Sequence, residues 1–173
     1  MLLDKLKRKK TLLPKTDTRK DSLWHKAKLR FVLNNGLRKG RTPDEIADKL
    51  ETVTKMDRSA AYRVARTACT NAENQGKLEA MYVLRDEFGV DCKKMWTATI
   101  DDRTRESHRH VHGEIRELDE EFSNGLQYPA DPDGDPSEVW NCRCYLQEII
   151  DETSIQVDEE WVNAKPKYKN YPR

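Results

Sequence analysis

The 173-residue sequence predicts an α+β protein: an N-terminal basic arm and α-helices followed by a small strand-and-loop-rich module. Three observations predict it. Apolar positions recur at helical spacing from Thr42 to Gly89 between good capping residues, and strand formers and Pro/Gly-bounded loops take over after Gly89. Charge also divides unevenly: residues 1–41 hold 14 Lys/Arg and 3 Asp/Glu, whereas 42–173 hold 18 and 28. Four segments follow: a basic arm with a short helix (1–41), a helical region (42–89), a small α+β module (90–150) and a C-terminal tail (151–173).

Hydrophobic and charged residues each make up 36%, against roughly 45–50% and about 25% in ordinary domains. The apolar surface is thin for this length, which excludes two large domains and suits one modest core with solvated or partner-covered segments. No stretch approaches the ~20 apolar residues of a membrane helix, and no apolar run follows the charges of Met1 to Lys10. The sequence therefore reads as a soluble protein without a secretion signal or a membrane partner. Four cysteines do not make a disulfide scaffold, which leaves the thiols metal binding or packing in a reducing compartment.

Each element has a local reason. Residues 1–20 place five leucines among eight Lys/Arg, with Pro14 breaking a continuous helix. Lys5, Lys7, Arg8, Lys9, Lys10, Arg19 and Lys20 suit phosphate or an acidic surface; a solvated tail is the plain alternative. Within Asp21 to Leu37, apolar residues from Leu23 to Val32 read as a short, weakly amphipathic helix, with Asn34-Asn35-Gly36 as its stop. Thr42-Pro43-Asp44-Glu45 is a helix start: Thr42 caps, Pro43 opens the first turn and Glu45 completes a capping box. Ile46, Leu50 and Val53 then form one stripe. A second helix is expected from Arg58 to Phe88, with Gly89 as its cap and Asn71 and Gly76 as points where it kinks or divides. Met95 to Ile100 reads as a strand, Thr104 to His112 as a short helix ended by Gly113, and Glu114 to Leu126 as a hairpin or loop around Ser123-Asn124-Gly125. Prolines between Tyr128 and Ser137 forbid regular structure, and Val139 to Ile150 is the last strand.

One constellation carries chemistry. His108 and His112 are four apart on an expected helix and share a face. Cys142 and Cys144 are two apart in an expected strand, so both sulfurs face one side with Cα atoms ~6.6 Å apart. Two imidazoles and two thiolates favour zinc over magnesium or calcium, with Cys92 and His110 as substitutes. Packing cysteines and a hydrogen-bonded histidine are the alternative. Asp101 and Asp102 suit the capping of the following helix, and Arg103 and Arg105 suit pairing with Asp131, Asp133 and Asp135. There is no P-loop, GxGxxG or HExxH motif, and no HxE with CxxC.

At these residues a resemblance enters. The run from Trp96 to Ile100 with Asp101, Asp102, Arg103, Thr104 and Arg105, then His108 and Gly113, Tyr128-Pro129-Ala130-Asp131-Pro132, and Asn141-Cys142-Arg143-Cys144 resembles the C-terminal module of phage minor head proteins of the phage Mu F type. It covers about residues 58–150, with Arg63 to Ala68, Asn71-Ala72 and Gly76 to Ala80 similar to the family's helical lead-in. Many members carry an acid where this chain has His112. The resemblance implies a few-copy virion protein at the capsid interior or portal vertex, present in host cytoplasm during assembly. It implies contact with the portal or major capsid protein, a role in head assembly and DNA packaging or ejection, and no catalysis; packaged DNA is the further partner that the basic arm suits. The competing readings are a zinc-dependent nuclease or hydrolase using the same cluster, and a DNA-binding accessory protein acting through the basic arm.

Overall fold

A computed structural model describes residues 23–151; the expectations for the arm at residues 1–20 and for the tail lie outside the described residues. The elements in order are α1 (Leu23–Arg38), α2 (Pro43–Thr54), α3 (Arg58–Phe88), β1 (Cys92–Thr97), α4 (Glu106–His110), β2 (Ile115–Arg116), α5 (Pro136–Val139) and β3 (Tyr145–Ile150). The fold is α+β, with three helices leading into a three-stranded antiparallel sheet of order β2-β1-β3. The register pairs Met95 with Ile115 and Gln147, and Trp96 with Leu146. No described helix is long and apolar enough to cross a membrane.

The capping box forms as the sequence requires: the Glu45 N–H donates to Thr42 Oγ1 at 3.3 Å, and the Thr42 N–H donates to Glu45 Oε2 at 2.8 Å. Asp57 caps α3 by accepting from the Ala60 N–H at 2.9 Å, and Gly89 ends it with φ 66°, a conformation glycine adopts without penalty.

Where the expectations fail, a competing interaction explains the outcome. Asn34-Asn35-Gly36 does not stop α1, which runs to Arg38. Gly36 instead permits close helix packing: a Cβ there would sit 2.5 Å from Ile46 Cγ1. Nor do Asn71 and Gly76 divide α3, which is continuous over 31 residues. Asn71 and Asn74 are buried and bond to the module beyond, so their poor helix propensity is outweighed by tertiary hydrogen bonds. β1 begins at Cys92 and ends before Ala98, whose N–H is taken by His112 Nδ1 at 3.1 Å. The short helix is only Glu106–His110, and the last strand begins at Tyr145 rather than Val139. Val139 closes the one-turn α5, which Pro136 opens within the segment expected to be irregular.

The single expected core is two clusters. Val32, Leu33, Ile46, Ala47, Leu50, Ala61, Ala65 and Ala68 close one between α1, α2 and α3. Leu78, Met81, Cys92, Trp96, Leu118, Phe122, Tyr128 and Leu146 form the other beneath the sheet. α3 contributes its first half to one and its second half to the other. Its side chains also close the outer edge of β3: Asn74 Oδ1 accepts the Leu146 N–H at 2.6 Å and Lys77 Nζ donates to Leu146 O at 3.1 Å. Backbone groups left without a strand partner are thereby satisfied.

Candidate metal centre

Two segments bring the candidate ligands together. α4 presents His108 inward, 2% exposed, while Cys142 and Cys144 come from the extended chain entering β3, 1% and 4% exposed. That extended chain is aimed by its backbone partners. Asn141 takes a left-handed φ of 60° just after α5, its N–H donating to Thr67 Oγ1 at 3.2 Å and its side chain accepting from Arg66 at 2.8 Å. Thr70 Oγ1 donates to Cys142 O at 3.3 Å and Asn74 Nδ2 to Cys144 O at 3.2 Å. These bonds to α3 take the place of strand pairing, and both sulfurs fall on the His108 side, as the two-residue spacing leads one to expect.

His108 Nδ1 lies 3.3 Å from Cys144 Sγ and 3.9 Å from Cys142 Sγ. The three ligand atoms lie within 4.8 Å of one another, the one such group among the described residues. A tetrahedral zinc with bonds of about 2.0–2.3 Å needs neighbouring donors roughly 3.3–3.8 Å apart, so the set fits with little movement. The other face of the imidazole is also provided for. His108 Nε2 lies 3.1 Å from Glu138 Oε2, off the line of an ideal hydrogen bond, and Ser107 Oγ donates to both Glu138 oxygens at 3.0 and 2.8 Å. A carboxylate beside Nε2 would hold the proton there once a metal took the Nδ1 lone pair. Trp96 stacks edge-on against the ring at 5.3 Å.

The two thiols differ. The Cys142 thiol hydrogen-bonded to it lowers Cys144 to about 5, helped by His108 and Trp96 against the opposing cost of burial. Cys142 is pushed well above the ordinary thiol value by the same partner and by burial. The pair thus shares one proton, with the negative charge on Cys144.

The remaining candidates lie elsewhere. His112 falls beyond the end of α4, exposed, its Nδ1 engaged by Ala98. His110 is exposed, and the Cys92 thiol donates to Met81 O at 3.4 Å. Asp101 forms a two-pronged ion pair with Arg143, inside the Asn-Cys-Arg-Cys run, which holds its carboxyl well below the usual carboxylate range. Its oxygens also accept from the Arg103 N–H and Thr104 Oγ1, and Arg105 donates to Trp140 O. The expected Arg103 and Arg105 pairing with the Asp131–Asp135 loop gives way to these contacts. Asp102 is exposed in the turn. Glu138 and Asn74 were missed by sequence reading, and Asn71 was read as a break in the helix rather than as a hydrogen-bond donor to Ala130 O; asparagines within a long helical pattern were the one signal for both.

A family model described as Phage Mu protein F like protein matches residues 27–147. Among curated proteins, an NAD(+)–arginine ADP-ribosyltransferase of Enterococcus faecalis is 33% identical over 134 residues, covering 75% of this chain and 27% of that protein. The minor head protein GP7 of Bacillus phage SPP1 is 27% identical over 130 residues, covering 70% and 40%. An uncharacterized Bacillus subtilis protein is 26% identical over 136 residues, covering 75% and 43%. The chain thus spans between about a quarter and somewhat under half of the length of these relatives. No solved structure matches it.

Proposed function

Because the chain belongs to the phage Mu protein F-like family, we propose that it is a minor capsid protein of a phage or prophage head, associated with the portal and aiding head assembly and DNA packaging or ejection. The match over residues 27–147 carries this reading, and the similarity to a phage minor head protein supports it. Its partners in this reading are the portal or major capsid protein, with the basic residues Lys5 to Lys20 toward packaged DNA or an acidic portal surface. Residues 42–89 act as the helical part and 90–150 as the sheet-bearing part.

His108 Nδ1, Cys142 and Cys144 hold a zinc ion in this reading, and the ion supplies a structural crosslink between α4 and the entry to β3. His112 is set aside as a ligand. Burial of all three donors favours a crosslink over hydrolysis, since a catalytic zinc needs an open position that substrate can reach. The transferase activity in the Enterococcus protein's name stays with that protein, of which the shared stretch is 27%.

The test is quantitative mass spectrometry of purified heads, with portal pull-down from assembling cells. A few copies per head, recovered with the portal, are expected. Absence from particles assembled to completion would reject the reading.

A further inference from the structure

A cluster of exposed cations lies apart from the metal ligands, on α1, α2 and the turn between them. α1 and α2 approach closely at Gly36, where a Cβ would strike Ile46, and leave an open groove lined by Phe31, Asn35, Lys39, Arg41 and Lys49, with Arg38 on its outer lip. No carboxylate lines it. The acids of α2 have partners of their own: Arg58 on α3 pairs with Asp44, Asp48 and Glu51, and Glu45 hydrogen-bonds to the Thr42 cap, with Arg41 near enough to act on it electrostatically. Arg38, Lys39, Arg41 and Lys49 are exposed, and among the described residues none makes an ion pair. At the centre sits Phe31, 69% exposed although its neighbours Val32 and Leu33 are buried.

Exposing a phenyl ring costs hydrophobic stabilisation that the adjacent core could have supplied. A ring of cations around an exposed aromatic matches one chemistry well: phosphates for the cations and a base face for the ring. An acidic peptide would satisfy the cations and leave the ring without a planar partner, and a duplex hides its base faces in the stack. We propose that the α1–α2 groove binds a single strand of nucleic acid, phosphates on Arg38, Lys39, Arg41 and Lys49 and an unpaired base on Phe31. This does not depend on the portal assignment. A strand or a frayed end would enter across the Asn34-Asn35 face of α1, where side-chain amides flank the ring.

The experiment uses the full chain and a fluorescent oligothymidine carrying 5-iododeoxyuridine, read by anisotropy and by photocrosslinking mapped with mass spectrometry. Phe31→Ala and the quadruple variant Arg38→Gln/Lys39→Gln/Arg41→Gln/Lys49→Gln change only exposed side chains, and circular dichroism checks their fold. An adduct on Phe31 is expected. Phe31→Ala should weaken single-strand binding on the order of tenfold. The quadruple variant should lower the slope of log affinity against log salt by about 3, from four phosphate contacts. Adducts confined to other residues, with both variants binding as wild type, would overturn the proposal. So would displacement of the strand by polyglutamate at equal charge concentration, which would assign the groove to an acidic protein surface, or duplex binding equal to single-strand binding with Phe31→Ala silent.

Discussion

Asn74, in the middle of α3, acts as a strand surrogate for Leu146: its Oδ1 accepts the Leu146 N–H at 2.6 Å while its Nδ2 reaches Cys144 O and Pro129 O, both at 3.2 Å. Asn74→Ala leaves one buried donor and two carbonyls unpaired. A loss of about 2–4 kcal/mol is expected, read as a lowered midpoint in guanidinium titration. A loss below about 0.5 kcal/mol would show that water replaces the amide.

The shared proton of the cysteine pair sets the pH behaviour of metal binding. Cys144, lowered to about 5, is already a thiolate at pH 7, whereas Cys142 keeps its proton until a cation displaces it. Zinc binding at pH 7 should therefore release about one proton. Calorimetry in buffers of different ionisation enthalpy measures this directly, and release near two would mean that both thiols were protonated beforehand. Affinity should fall as pH drops through about 5, where Cys144 takes up its proton. The double variant Cys142→Ser/Cys144→Ser should bind no zinc, and EDTA should lower the midpoint of the wild type but leave that of the variant unchanged.

Lys94 is fully buried in β1, with Nζ donating to Leu118 O at 3.0 Å and to Gln127 O and Oε1 at 2.9 Å, above the Phe122 ring. Three donors of an ammonium meet three acceptors. Burial lowers its pKa to about 8 from the usual 10.5. Between these values the unfolded chain binds more protons than the folded one, so this group's contribution to stability rises with pH from about 8 to 10.5, by at most about 1.4 kcal/mol per unit. Lys94→Met should lose about 2 kcal/mol at pH 7 through its orphaned carbonyls, and the gap to wild type should widen toward pH 10. A gap that narrows instead would reverse the sign of the shift.

Gly36→Ala sets two effects against each other. The helix gains up to about 1 kcal/mol, while a Cβ 2.5 Å from a buried Ile46 forces over-packing of about 1–3 kcal/mol. Net destabilisation near 1 kcal/mol is expected by thermal melting, and Ile46→Val in the same chain should restore part of it. A more stable Gly36→Ala would show that the helices part easily.

Helix boundaries were legible where backbone chemistry set them locally: Thr42, Pro43 and Glu45 at one start, Gly89 at one end. Strand boundaries were not, because distant side chains decide them. His112 claims the Ala98 N–H, and Thr70 and Asn74 claim the carbonyls of Cys142 and Cys144. The two-residue cysteine spacing and His108 foretold the cluster, since alternation persists in an extended chain even without a sheet partner. His112 misled because four-residue spacing implies a shared face only while the helix lasts, and α4 ends at His110. The strand expected from Met95 overlaps β1, but Lys93 and Lys94 hid its start at Cys92, because a lysine rarely occupies a core.

α3 is about 46 Å long at 1.5 Å per residue, and each core owns one half of it. Neither half can lose its partners without stripping a rod that the other half needs, so the described region should melt as one cooperative unit. Loosening the chain around Cys142 therefore lowers the temperature of a single calorimetric transition, and the helices near Leu50 register damage done more than a core away.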